Sequence, residues 1–121
     1  MARPPEEYLA DILEAAAAIL TYTRKGKAAF LRSAMARDAV IARIIQIGEA
    51  VKGAHAGGID LEAHAPAIPW QEIAGMRDIL SHQYWRTDSQ IVWGVVVKDL
   101  KPLAAAIAKI RGKRLRRSRR S

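Results

Sequence analysis

Asp88-Ser89-Gln90-Ile91-Val92-Trp93-Gly94-Val95-Val96-Val97-Lys98-Asp99-Leu100 is the stretch whose reading decides the fold. Its β-branched run from Ile91 to Val97 has the composition of a strand, and a strand here would make the protein α+β. Two features decide for a helix. Thr87-Asp88-Ser89 supplies an N-cap immediately before the run. The apolar positions Ile91, Val92, Val95, Val96, Leu100, Leu103, Ile107 and Ile110 then hold an i, i+3, i+4 register for longer than a strand lasts. One helix is therefore expected from Ser89 to about Ile110.

Working outward, the rest of the chain is helical too. Pro4-Pro5-Glu6-Glu7 is a helix start, with prolines at the entry and acids in the first turn, where they complement the dipole. Leu9, Ile12, Leu13, Ala16, Ile19 and Leu20 form the buried stripe of a first helix ending near Thr23. Arg24-Lys25-Gly26-Lys27 is a turn, and Ala28 to Ser33 makes a short helical piece that docks Phe30 and Leu31. A longer helix begins near Arg37 and buries Val40, Ile41, Ile44, Ile45, Gly48 and Val51. Lys52-Gly53 and Gly57-Gly58 close it. A Gly/Pro-rich connection with one helical turn at 60–63 leads to Trp70, which anchors a third helix running to Leu80 or a little beyond. The expectation is an all-α bundle of four main helices plus short helical segments.

Composition agrees and narrows the function classes. The 121 residues suit one domain; half are hydrophobic but only seven are aromatic, a content suited to helix packing. With no cysteine, disulfides, thiolate metal sites and cysteine nucleophiles are excluded together. No apolar run is long enough to span a bilayer and the first residues lack a signal-peptide core, so a cytoplasmic protein without membrane contact is expected. The net charge of +8 is unevenly placed: residues 111–121 hold seven Lys or Arg and no acid, leaving +1 for the other 110 residues. Residues 1–110 are accordingly read as the folded domain. Residues 111–121 are read as a basic, disordered tail, equally consistent with non-specific nucleic-acid binding and with no role.

Chemistry concentrates in Met76-Arg77-Asp78-Ile79-Leu80-Ser81-His82-Gln83-Tyr84-Trp85, which reads Arg-x-x-x-x-His-x-Tyr. At about 100° per residue, Arg77, Ser81 and Tyr84 share one edge of the helix, with Asp78 and His82 beside them. Met76, Leu80 and Ile73 are assigned to the other side. A polar helical face is most often only solvated. Arg, His and Tyr, however, are the types that bind phosphate, move protons and contact hydroxyls near neutral pH. Asp78 and His82, at i, i+4, suit a carboxylate orienting an imidazole better than a metal clasp. His55 and His64 lack a partner at metal-ligand spacing, so neither metal nor cofactor is expected.

Five ordered blocks carry a resemblance. Tyr8-Leu9-Ala10-Asp11-Ile12, Arg37-Asp38-Ala39-Val40 with Gly48-Glu49-Ala50-Val51-Lys52, Ile68-Pro69-Trp70, Gly75 to Tyr84, and Ile91-Val92-Trp93 together resemble the HepT-like branch of the HEPN domains over residues 6–110. The resemblance implies a ribonuclease toxin of a type VII toxin–antitoxin system, homodimeric, with the motifs of both protomers facing one cleft. It implies RNA as substrate and a minimal nucleotidyltransferase antitoxin of the MntA type as partner, in a possible larger hetero-oligomer. Carried over, Arg77 and His82 are catalytic, Tyr84 contacts substrate and accepts AMP from the antitoxin, and Asp78 and Ser81 support them. Gln83 departs from the commoner small or acidic residue. The rival reading is a non-catalytic subunit that binds a nucleotide or the nucleotidyltransferase and cleaves nothing.

Overall fold

The computed structural model describes residues 3–83 and 88–120, with the side chains of 77–83 and 120 outside that description. Among the described residues there are seven helices and no strand: α1 (Pro5–Tyr22), α2 (Lys27–Arg32), α3 (Ala34–Ala56), α4 (Leu61–His64), α5 (Trp70–Gln83), α6 (Ser89–Lys98) and α7 (Leu100–Arg120). The valine-rich run is helical. Asp88 caps it, its carboxylate accepting from the Gln90 N–H at 2.8 Å.

The helix expected from Ser89 to Ile110 is broken at Asp99 into α6 and α7. Pro102 is the physical reason: it has no N–H for the Lys98 carbonyl and its ring crowds that carbonyl, so a new helix begins with proline in its first turn. Asp99 keeps helical backbone angles and its carbonyl accepts from the Leu103 N–H at 3.1 Å. Beyond Ile110, α7 continues to Arg120. Residues 111–120, read from sequence as a disordered tail, are therefore helical.

α3 is the central element, with α1 and α5 packed against it; α7 packs on α1, and α6 on α7. Being covered by more than one neighbour, α3 buries Val40, Ile41, Ile44, Ile47, Gly48, Ala50, Val51 and Ala54, which by register spread over roughly half its circumference. The sequence reading, looking for one stripe, missed Ile47 and placed Ile45, only partly buried, in its stead. Likewise α1 buries Leu9, Ile12, Ala15, Ala16 and Ile19 but leaves Leu20 exposed, and α2 buries Phe30 while Leu31 stays at the surface. Phe30 meets Trp93 of α6, ring centroids 5.5 Å apart. α3 begins three residues before the expected Arg37 because Ser33 caps it, its hydroxyl oxygen accepting from the Ala36 N–H at 3.0 Å.

Gly53, expected to close α3, lies inside it. The Gly57-Gly58 pair does close the helix, as expected: Gly57 is its C-cap and Gly58 takes the left-handed conformation with φ of +94°. Gly53 is there for contact: a Cβ at this position would lie 2.6 Å from Cδ1 and Cζ of Tyr8. The glycine lets the tyrosine of α1 lie flush on the α3 backbone.

Candidate active site

α5, which carries the Arg-x-x-x-x-His sequence, is fixed firmly at its start. The Asp60 carboxylate caps α4 by accepting from the Ala63 N–H at 3.1 Å. The Ala65 carbonyl then accepts from the Ile68 N–H at 3.2 Å and from the Trp70 indole Nε1–H at 2.9 Å. Trp70 is 2% exposed, so a large apolar ring and a satisfied N–H together pin the first residue of α5 to the core. Pro69 occupies the position before the helix, and its carbonyl takes the Ile73 N–H at 3.0 Å.

From this anchor α5 runs unbroken to Gln83, so Arg77, Asp78, Ser81 and His82 share one helical backbone. Arg77 and His82, five residues apart, differ by about 7.5 Å along the axis and about 140° around it. Tyr84 lies outside the described residues.

The register relates these positions to the core. Trp70 and Ile73 are the buried residues of the first turn and belong to the main core, on a helix that packs against α3. Arg77 follows them at i+7 and i+4, and Ser81 follows Arg77 at i+4. Arg77 thus stands in register with Trp70 and Ile73. This corrects the sequence-based wheel, which set Ile73 on the side opposite the polar residues. At about 100° per residue Ile73 lies only about 40° around the helix from Arg77. Asp78 and His82 follow the line of Gln71, which is exposed, and Gly75, which is half-buried. The backbone register therefore sets Arg77 and Ser81 on a different line of α5 from Asp78 and His82.

The other candidate residues stand apart. His55 and His64 are both exposed, and His55 Nε2 lies 4.0 Å from Glu62 Oε1. Among the described residues no group of three His, Cys, Asp or Glu side chains is placed to hold a metal. Glu49 is exposed and lines a cleft between α1 and α3 of about 350 Å³, together with Arg3, Tyr8, Asp11, Glu14, Arg43 and Gln46. Arg3 closes one side of that cleft, donating to Asp11 at 2.7 Å and Glu7 at 3.2 Å, with its guanidinium 4.8 Å from the Tyr8 ring centre. The two carboxylates raise its pKa, through the Asp11 hydrogen bond first and the Glu7 hydrogen bond next.

Comparison with known proteins decides the family. Residues 12–110 match the family described as "Ribonuclease HepT-like". The chain belongs to the ribonuclease HepT-like family. It is 37% identical over 112 residues to "Probable ribonuclease HepT" of Thermococcus cleftensis, covering 92% of this chain and 99% of that relative. It is 33% identical over 99 residues to a "Putative RNase" of Methanocaldococcus jannaschii, covering 81% of this chain and 88% of the relative. A third relative, "Gamma-glutamylcyclotransferase and putative RNase" of the same organism, is 41% identical over 104 residues, covering 85% of this chain but 46% of its own length. The chain thus spans about half of that relative. No solved structure matches the chain significantly.

For a HepT-like chain the all-helical fold is the expected one, and RNA cleavage is the activity for which the family and these relatives are named. The match ends at Ile110, so the basic last turns of α7 lie beyond it. Among the described residues, no helix is long and apolar enough to cross a membrane.

Proposed function

We propose that this chain is a metal-independent endoribonuclease and the toxin of a type VII toxin–antitoxin pair, working as a homodimer whose α5 helices face one cleft. The observation that carries the reading is the Arg77-x-x-x-x-His82-x-Tyr84 sequence, whose Arg77 and His82 stand on the second half of α5, in a member of a family named for ribonuclease activity. Continuity of α5 to Gln83 supports it, because a rigid helix anchored at Trp70 holds Arg77 and His82 at a fixed spacing.

The chemistry follows from the side chains. The ribose 2′-hydroxyl loses its proton to an imidazole and attacks the adjacent phosphorus, and the 5′-oxygen leaves after gaining a proton. The products are a 2′,3′-cyclic phosphate and a 5′-hydroxyl. His82 supplies proton transfer, an effect commonly of about 10²–10⁴-fold. The Arg77 guanidinium binds the phosphate in a two-pronged manner and stabilises the charge that builds on its oxygens. One imidazole does not serve easily as base and acid in the same step, so a second His82 from a partner copy fills the missing role. Asp78, one turn before His82, is assigned to orient its ring, and Ser81 to support the same face.

Tyr84 is assigned two tasks, contact with the substrate and acceptance of AMP from a minimal nucleotidyltransferase antitoxin. An AMP on that phenol would place bulk and negative charge where an RNA phosphate must lie, which inhibits on electrostatic grounds alone.

The test is cleavage of RNA by the purified chain in EDTA, beside His82→Ala and Arg77→Ala. Cleavage by the parent and a loss of at least about 100-fold in either variant is expected. No cleavage, or cleavage surviving both substitutions, would sink the enzyme reading. Co-expression with the cognate nucleotidyltransferase should add one or more AMP masses to the intact chain. Adducts that persist in Tyr84→Phe would remove Tyr84 from that role.

A further inference from the structure

The last three turns of α7 are basic, helical and tied to the body of the protein. Arg114 donates from Nη2 and Nε to the Glu6 carboxylate of α1, at 2.6 and 3.0 Å. Around that pin, Lys109, Lys113, Arg116 and Arg117 are all exposed. By helical register they lie within a stripe about 100° wide, a width typical of one helix face. Lys109, Lys113 and Arg117 follow one another at i, i+4, about 6 Å apart along the axis. Lys113, Arg114, Arg116 and Arg117 also line a cleft of about 300 Å³ with His64, the last residue of α4. Among the described residues no carboxylate lines that cleft.

Helix stability does not explain the pattern. Cations in the final turn complement the negative end of the dipole, but that effect fades within a turn and reaches neither Lys109 nor Lys113. Lys109–Lys113 and Lys113–Arg117 are like-charge i, i+4 pairs, which destabilise a helix.

We propose that the α7 face formed by Lys109, Lys113, Arg116 and Arg117, with His64 at its edge, docks the phosphate backbone of RNA outside the catalytic segment of α5. The identification of the polyanion as RNA rests on the ribonuclease reading given above. The spacing of the cations matches a chain of regularly repeated phosphates. An anionic membrane is a poorer fit, since among the described residues Leu115 is the one large apolar side chain exposed on this helix and a surface-seeking helix needs an apolar face. The basic face stands on α7 and the catalytic residues on α5, so the surface recruits RNA long enough to touch both helices and does nothing for a dinucleotide.

The test uses the full chain and a variant in which Lys109, Lys113, Arg116 and Arg117 are all changed to Gln, which keeps helix propensity. Arg114 is left in place. Binding of a fluorescent 2′-O-methyl 20-nucleotide RNA, which cannot be cleaved, is followed by anisotropy over a range of salt. Removing four phosphate contacts should lower the magnitude of the log–log salt slope by about 3 and weaken binding at least tenfold at about 100 mM salt. Cleavage of a dinucleotide should be unchanged. A variant with the parent's affinity and slope would overturn the proposal, and so would a parent that binds anionic vesicles but not RNA. If the dinucleotide is not cleaved even by the parent while the slope still falls, the catalytic reading fails and the docking surface stands. Should the fourfold variant melt early, Lys113→Gln with Arg116→Gln serves instead, with about half the slope change expected.

Discussion

Gly53 shows how one missing methyl group fixes the approach of two helices. An alanine there would gain up to about 1 kcal/mol of helix propensity over glycine. It would also drive a Cβ into the Tyr8 ring, which is rigid and partly buried against the core. Overpacking of this kind commonly costs about 1–3 kcal/mol, so the clash should win and Gly53→Ala should lower the urea midpoint. The sharper expectation is coupling. In a Tyr8→Ala background the ring is gone, and the same change at 53 should become neutral or stabilising. Equal losses in both backgrounds would show that the ring does not set the spacing. Nothing in the sequence announced this contact: a glycine after a lysine near the end of a helical pattern reads as a terminator, and only the position of Tyr8 on a different helix shows otherwise.

At the scale of elements, α7 is held at both ends by different means. Its first half buries Leu100, Leu103, Ile107 and Ile110 in the core, and its second half relies on Arg114 and Glu6. The Arg114 hydrogen bond lowers the Glu6 pKa below the usual carboxylate value. A carboxyl depressed in the folded state contributes stability above its unfolded pKa and loses that contribution as pH falls through the folded value. Comparing the chain with Glu6→Gln should therefore show a stability gap that is full near neutrality and closes in acid. With the Glu6 side chain 44% exposed, the gap should be no more than about 1 kcal/mol. A gap that does not change with pH would assign the effect to packing instead. The register of α7's first half was legible in sequence because apolar spacing records burial. Its basic half was not, because seven cations without acids look like a solvated tail until a partner 108 residues away is known to pin one of them. The break at Asp99 was legible in principle, since Pro102 marks it, but the strong apolar register on either side concealed it. The Arg-x-x-x-x-His run stood out in the sequence by its residue types, whereas its register against the core had to be read from the burial of Trp70 and Ile73.

For the whole molecule, the proposed mechanism makes a demand that one His82 does not easily meet, namely one imidazole to remove a proton and another to supply one. If each cleft draws both from a homodimer, a heterodimer of the parent and His82→Ala keeps a single imidazole and should be nearly as impaired as the doubly substituted dimer. Random re-association of equal amounts of the two chains would then leave about one quarter of the parent activity, because only parent–parent dimers carry two His82 imidazoles. Independent sites would leave about one half. Mixing under conditions that exchange subunits, with sedimentation verifying a particle of twice the chain mass, separates the two. Varying the proportion strengthens the distinction, since activity should follow the square of the parent fraction and not the fraction itself. A linear dependence with intact dimers would mean that each His82 serves both proton transfers within its own chain. The cleft would then be shared for binding alone, and the reason for placing the motif at a two-fold interface would have to be sought in substrate capture.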